Sequence, residues 1–286
     1  MKNLENNTKM ILAVLVTAIV CIAGTFVVAG NGNGGENNSS TVTVAGSTTV
    51  QPLMVEFQEE FEKYSNMKLS VTGGGSGAGV ETVKNGIAEI GMLSRDLKST
   101  EAGHPTIIAK DGVVILVHTG ANVSNLTLEQ IAKIYSGEYT NWNQVGGANL
   151  KINPIIREEG SGTRDCLDTI LATVPGFNTN AYNKYPTQSS TGSMLTQIQN
   201  VSGSIGYVNL GVLSSVDKSK TAAVTVDGVE VTSENVINGT YEISRNLILI
   251  TKDAQPSGEI QFFLNWILSE QGQKIVEDEG FVSIRG

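Results

Sequence analysis

Four short turns rich in glycine and hydroxyl residues stand where the hydropathy pattern changes to a helix. They are AGSTTVQP at 45–52, GGGSGAG at 73–79, EEGSGTRD at 158–165 and the weaker SSTGSM at 189–194. The first four N–H groups of a helix have no intrahelical partner, and the macrodipole leaves partial positive charge there. An anion is the natural ligand of such an end. Glycine lets the backbone approach a ligand closely, and Ser or Thr hydroxyls donate to oxyanion oxygens without adding charge. Any one turn also reads as an ordinary N-cap, since Ser and Thr are favoured there. Two of them exceed that reading. GGGSGAG spends five glycines in seven residues with no capping gain. EEGSGTRD is preceded by Arg157 at the end of an apolar run, and the guanidinium fork matches phosphate-type oxygens and stays charged at every accessible pH. Ser94-Arg95, after AEIGML, adds a further hydroxyl and a second cation.

Other chemistries fare poorly on the same residues. GGGSGA reads as G-x-G-x-x-A from Gly73, but it follows the second strand-like run and lacks an acid at the end of the next, which weakens a dinucleotide fingerprint. No Gly-Lys-Ser/Thr occurs, so there is no P-loop. A serine hydrolase needs a base beside its nucleophile. The chain has no G-x-S-x-G and two histidines only, His104 before a proline in an expected loop and His118 at a strand end. Glu158, Glu159, Asp165 and Asp168 crowd one segment without a histidine partner or metal-ligand spacing. Two cysteines, Cys21 and Cys166, exclude a disulfide scaffold and a Cys-rich metal site. With 19 Lys+Arg against 28 Asp+Glu the net charge is −9, which argues against nucleic acid. No cofactor is expected.

The elements that would position these turns follow a strand–helix rhythm. TVTVA at 41–45 precedes a helix over 51–64 with Leu53, Phe57, Phe61 and Tyr64 on one face. LSVTG at 69–73, a helical VETVKNG at 80–86 and IGML at 90–93 continue it. GVVILVH at 112–118 and RNLILITK at 245–252 are the strongest buried-strand runs. Between them lie helical patterns at 126–137, 164–171 and 191–200, strands at 151–158 and 204–210, and a hairpin or edge segment at 225–236. A last helix spans 258–280. The alternation predicts an α/β fold with a largely parallel sheet, in two lobes joined by two crossing strands. Lobe 1 is expected to comprise 41–118 and 245–286, and lobe 2 119–244.

Residues 10–29 are twenty positions without a charge, after Lys2 and Lys9. That is enough for a helix of about 30 Å, hence an uncleaved membrane anchor or a long signal segment within 1–29, with Val27-Val28-Ala29 as a small-residue cleavage site. Cys21 sits mid-stretch without the usual approach to a lipidation site. GNGNGGENNSS at 30–40 reads as a flexible tether. Sequons at Asn38, Asn122, Asn125, Asn200 and Asn238 are compatible with an exported surface.

In order and spacing, TVTVAGSTTVQPL, VTGGGSGAGVETVKNGIAEIGMLSR, VVILVH with NLTLEQIAKIYSGEYTNWNQVGG, PIIREEGSGTRD, SGSIGYVNLG and YEISRNLILITK resemble the PstS-type phosphate-binding proteins of ABC importers, across residues 41–285. The resemblance implies a two-lobed type II periplasmic-binding-protein fold with a two-strand hinge and a ligand in the cleft. It implies ligand contacts from Ser47, Thr48 and Thr49, from Ser76 and Gly77, from Ser94 with Arg95 beside it, and from Arg157, Ser161, Gly162 and Thr163. Implied partners are inorganic phosphate, an ABC permease and its ATPase, and the membrane through the N-terminal segment, for a monomeric, non-enzymatic protein outside the cell.

There is one departure from the family pattern. In its best-known branch an aspartate near the position of Ser94 accepts the O–H of a protonated phosphate; here Ser94-Arg95 stands instead. A carboxylate acceptor rejects sulfate, which has no such proton, and unpaired polar groups can discriminate by about 10⁴–10⁵. Glu159 and Asp96 are the candidate acceptors, Glu159 alternatively holding Arg157 in place. Sulfate, molybdate or tungstate as ligand, and an exported phosphatase or hydrolase, are the remaining readings.

Overall fold

The computed structural model of the chain describes residues 41–285; the apolar stretch and the tether before Thr41 lie outside the described residues. Strand β1 (Thr41–Gly46) buries Val42 and Val44 on alternate positions, as a half-buried strand must. It leads into helix α1 (Gln51–Phe61), which buries Leu53, Met54, Phe57 and Phe61 and carries proline in its first turn, where the missing N–H costs nothing. Strand β2 (Lys68–Gly73), helix α2 (Ser76–Lys84) and strand β3 (Ile90–Leu93) repeat the unit. β1 lies between β2 and β3, parallel to both.

Strand β4 (His104–His118) is longer than the 112–118 run predicts. The expected loop at His104-Pro105 is instead the start of the strand, because strand β12 (Ser244–Thr251) pairs antiparallel with it from His104 to Gly112. Strand β9 (Ser204–Asn209) pairs with β4 only from Val113 to Val117, so Pro105 lies where one side carries no ladder, a position proline tolerates.

The chain then builds strand β5 (Asn125–Leu126), helix α3 (Leu128–Tyr135), strands β6 (Asn153–Pro154) and β7 (Ile156–Arg157), and helix α4 (Gly162–Leu171). Strand β8 (Thr187–Gln188), helix α5 (Thr191–Asn200), β9, and strands β10 (Thr221–Ala223) and β11 (Thr225–Val226) follow. The strand expected over 151–158 is thus broken into β6 and β7. They pair with different partners, β9 and β8. The expected hairpin at 225–236 is β11, a tight turn bridging Val226 to Val229, and a short helix, α6 (Ser233–Ile237).

The main sheet has eight strands in the order β2-β1-β3-β12-β4-β9-β6, with β10 on β4. It is mixed, not largely parallel: β12 runs antiparallel to both β3 and β4, and β9 and β10 run antiparallel to β4. The returning chain inserts β12 into the middle of the sheet, which reverses direction there. The expected single last helix is two, α7 (Gly258–Ile267) and α8 (Glu270–Asp278), divided where the Ser269 side chain caps α8. A Cβ on Gly272 would lie 2.3 Å from the Ile267 carbonyl oxygen, so this close corner requires glycine.

Two large apolar cores lie on the sheet, beside a smaller third built on Val80, Val83, Leu93 and Ile248. One joins Val42, Val44, Phe57 and Phe61 to Ile108, Ala109, Leu247, Leu249 and Phe263. The other joins Val113 to Val117 with Ile131, Trp142, Leu167, Ile198, Tyr207 and Ile243. β4 contributes to both, and the chain at β12 passes from one to the other between Ile243 and Leu247. This is a two-lobed architecture with two strands crossing between the lobes. At the crossing Arg245 donates through Nε and Nη2 to Asp111 Oδ2 at 2.9 and 2.7 Å, while Asp111 Oδ1 accepts from the Leu210 amide at 2.9 Å. Such a buried, hydrogen-bonded pair adds little net stability, but removing either partner would strand a buried charge.

Candidate functional site

All four glycine and hydroxyl turns meet. Gly46 ends β1 at φ +136°, and a Cβ there would lie 2.3 Å from the Met92 carbonyl oxygen, so only glycine lets the chain turn at this point. Ser47 follows. Its Oγ accepts from the amides of Thr49 and Val50 at 3.1 and 3.4 Å, the role of a turn-capping serine. Ser161 likewise caps α4, accepting from the Arg164 amide at 3.3 Å. For these two residues the capping function is visible in the geometry.

The remaining hydroxyls form two adjoining groups. In the first, Thr49 Oγ1 lies 3.3 Å from Thr163 Oγ1 and 3.4 Å from Thr191 Oγ1. Arg157 joins them, with Nη2 donating to Thr48 Oγ1 at 3.2 Å and Nη1 to Thr191 Oγ1 at 3.4 Å. In the second, Ser76 Oγ accepts from the Ser94 amide at 3.0 Å and lies 3.4 Å from Ser94 Oγ. The two groups adjoin because Gly162 and Thr163 are consecutive: a Cβ on Gly162 would fall 2.3 Å from Ser76 Oγ and 2.6 Å from Ser94 Oγ. The Gly77 amide donates across to the Gly160 carbonyl at 2.9 Å. Ser76, Ser94, Thr49, Thr163 and Arg157 are buried to 2% exposure or less.

Burying this many polar groups is costly unless they are well hydrogen-bonded, and the contacts among the hydroxyls are long. The starts of α1, α2, α4 and α5 converge here, each helix being nine residues or more. Together they offer oriented N–H and O–H donors around one guanidinium, an arrangement whose chemical complement is a small oxygen-coated anion.

Arg157 is held in place on its other edge. Its Nε and Nη2 donate to Glu158 Oε2 and Oε1 at 2.8 and 2.9 Å, and Nε also reaches the Gln188 carbonyl at 3.2 Å. The Tyr207 hydroxyl accepts from its backbone N–H at 2.9 Å. The orienting acid is therefore Glu158, not Glu159, which is exposed. Asp96 is exposed too, its Oδ1 accepting from Asn246 at 3.0 Å. Neither candidate acceptor for a phosphate proton sits among the buried hydroxyls.

Arg95 is placed differently from the expectation of a ligand contact. Its guanidinium meets Glu101, Asp165 and the Asp96 carbonyl, and none of the hydroxyls above. Two carboxylates attract a cation more strongly than neutral oxygens do. Thr191 is the residue the sequence reading overlooked; its turn, SSTGSM, carried the signal but no residue in it was singled out. His118 Nδ1 accepts from the Gly120 amide at 3.0 Å, an N-capping contact, and His104 is exposed. Among the described residues no group of three or more His, Cys, Asp or Glu could hold a metal ion, and no helix is long and apolar enough to cross a membrane.

Residues 31–271 match the family described as the PBP superfamily domain. The "Phosphate-binding protein PstS" of Borreliella burgdorferi is 30% identical over 258 residues, covering 87% of this chain and 92% of that protein. Among solved structures, a "Putative Phosphate ABC Transporter Substrate-Binding Protein with Bound Phosphate from Clostridium perfringens" superimposes with a TM-score of 0.79 at 36% identity, covering 86% of this chain and all of that one. An "ABC-type phosphate transport receptor from Vibrio cholerae" gives 0.70 at 31% identity, covering 84% and 99%. A shared fold and identity at this level over nearly the whole described chain place it in the PBP superfamily, in the family of the PstS phosphate-binding proteins.

Proposed function

We propose that the chain is an extracytoplasmic receptor that binds inorganic phosphate in the cleft between its lobes and delivers it to an ABC permease and ATPase. The lobes are taken as 41–118 with 245–286, and 119–244. The observation that carries this reading is Arg157, buried, oriented by Glu158, and turned toward hydroxyls from two other segments. Thr48, Thr49, Ser76, Gly77, Ser94, Arg157, Gly162, Thr163 and Thr191 form the ligand shell, with Ser47 and Ser161 shaping it. The names of the relatives support phosphate as the ligand and import as the purpose. The family is one of solute-binding proteins, and the chain acts by binding and closure, with no bond made or broken. It works as a monomer held at the cell surface or released there, according to the fate of residues 1–29.

Isothermal titration with inorganic phosphate, sulfate, molybdate and tungstate tests the assignment. Phosphate is expected to bind most tightly and to raise the thermal midpoint by mass action. Preference for sulfate or molybdate would replace the ligand while keeping the site. That second reading is favoured by one observation: Glu158, the carboxylate beside the buried hydroxyl group's arginine, is already engaged by Arg157.

A further inference from the structure

Glu101 lies in the loop after β3 and grips Arg95 with both carboxylate oxygens, each 2.7 Å from a guanidinium nitrogen. It also accepts from the Lys98 amide at 2.9 Å. This three-point hold makes the segment 95–101 a rigid platform. Arg95 Nε lies 2.9 Å from Asp165 Oδ2 and Lys98 Nζ 2.7 Å from the same oxygen, ion pairs by distance in which neither Nε nor Oδ2 is aligned for a hydrogen bond. Asp165 stands in the first turn of α4, whose Cys166, Leu167 and Leu171 belong to the second core. Leu93 and Leu97, flanking Arg95, pack on the other side with Val80, Val83 and Ile248. Two cations of one lobe thus converge on one carboxylate of the other.

We propose that Arg95, oriented by Glu101, and Asp165 form an electrostatic latch across the cleft that sets how fast a bound anion escapes. This rests on the phosphate-receptor reading of the neighbouring site, and Arg95 and Asp165 act in it as positioning residues. The latch has the properties a reversible closure needs. Arg95 is 7% exposed by its side chain, so its attraction to Asp165 is poorly screened, whereas Lys98 and Asp165 are 52% and 25% exposed and rehydrate readily when the lobes part. Arg95 keeps Glu101 as a partner in either state, so opening strands no buried charge. Asp165 also sits two residues after Thr163, so its charge opposes an anion at the start of α4 unless the two cations neutralise it. Closing the latch removes that opposition at the moment the ligand is enclosed.

Stopped-flow release and titration of inorganic phosphate on Asp165→Asn, Arg95→Gln and the double variant test this. Each single change should raise the release rate about tenfold, a value between exposed and buried ion pairs, with little change in the association rate. The double variant should do no more than the stronger single one, because both break one contact. Lys98→Gln, on an exposed residue, should give a smaller increase of the same kind. The thermal midpoint of phosphate-free Asp165→Asn should match the parent's, which a merely structural role would not allow, whereas Arg95→Gln also orphans Glu101 and should melt lower. Unchanged release, or single effects that multiply in the double variant, would overturn the latch. So would loss of binding in Arg95→Gln alone, which would return Arg95 to the ligand shell. If the unaltered protein bound no phosphate, the functional reading would fail separately. Small-angle scattering would then decide the latch: Asp165→Asn must be more expanded than the parent at low salt, and equal dimensions would refute it.

Discussion

Arg157→Ala is the perturbation on which the binding-site reasoning stands most exposed. The guanidinium is 2% exposed and donates to Thr48, Thr191, Glu158 and the Gln188 carbonyl. Truncation removes the guanidinium turned toward the hydroxyls and leaves Glu158, 23% exposed, without its partner beside an anion. Truncating one member of a buried, hydrogen-bonded charge pair costs about 2–5 kcal/mol. At about 1.4 kcal/mol per decade this is roughly thirtyfold to several-thousandfold in the dissociation constant. Arg157→Lys should fall between, since it keeps charge but loses the fork that spans Glu158 and the threonines. Adding Glu158→Gln to Arg157→Ala should recover part of the loss, because the orphaned carboxylate is then neutral. Titration calorimetry with inorganic phosphate reads all three, with a melting curve to show that each variant is folded. A folded Arg157→Ala protein binding phosphate within threefold of the parent would refute the placement of the ligand beside this residue.

Gly162→Ala should weaken phosphate binding by about 1–3 kcal/mol through overpacking, because the added Cβ falls 2.3 Å from Ser76 Oγ. Calorimetry should show the loss, and scattering should show a more open protein; unaltered affinity would mean the segments do not close as described. Burial pushes the Cys166 thiol up to about 11, so Cys166 in native protein at pH 8 should resist iodoacetamide and react once denatured, as read by peptide mapping separately from Cys21. The folded state favours the neutral thiol, so its contribution is complete below the ordinary thiol range and is lost as pH rises through about 11. A Cys166→Ala melting series should lack that component. Burial, then the charges of Glu56 and Asp278, raise the Glu279 carboxyl above its ordinary range. A raised carboxyl stabilises below that range and loses the contribution as pH climbs through the folded value. Glu279→Gln should therefore raise the thermal midpoint at pH 7 and lose this advantage in acid; a lower midpoint at pH 7 would count against it.

Local features were well written in the chain. The helix face of Leu53, Phe57 and Phe61, the runs 112–118 and 245–252, and the glycine and hydroxyl turns occur where periodicity and backbone chemistry put them, whereas Tyr64, expected on that face, lies beyond the helix end and is exposed. Errors came where pairing with a distant segment decides the conformation. His104-Pro105 is strand because β12 lies beside it, and the sheet is mixed because β12 enters its middle. The site shows the same division. Arg157 and the EEGSGTRD turn were recognisable from residue type and spacing, whereas the choice of Glu158 over Glu159 depended on which carboxylate faces the guanidinium.

What residue order alone established is the list of donors: which turns free their amides, where glycine is affordable, and that one arginine precedes the richest of them. Those properties belong to a few neighbouring residues and the backbone between them. Which donors share a centre, and that Arg95 lies beside Asp165 while Arg157 meets Thr48 and Thr191, was decided only by folding. Coulomb attraction and hydrogen bonding act over a few ångströms, and separations of 34 to 109 positions along the chain become contact only when the packed cores bring them together.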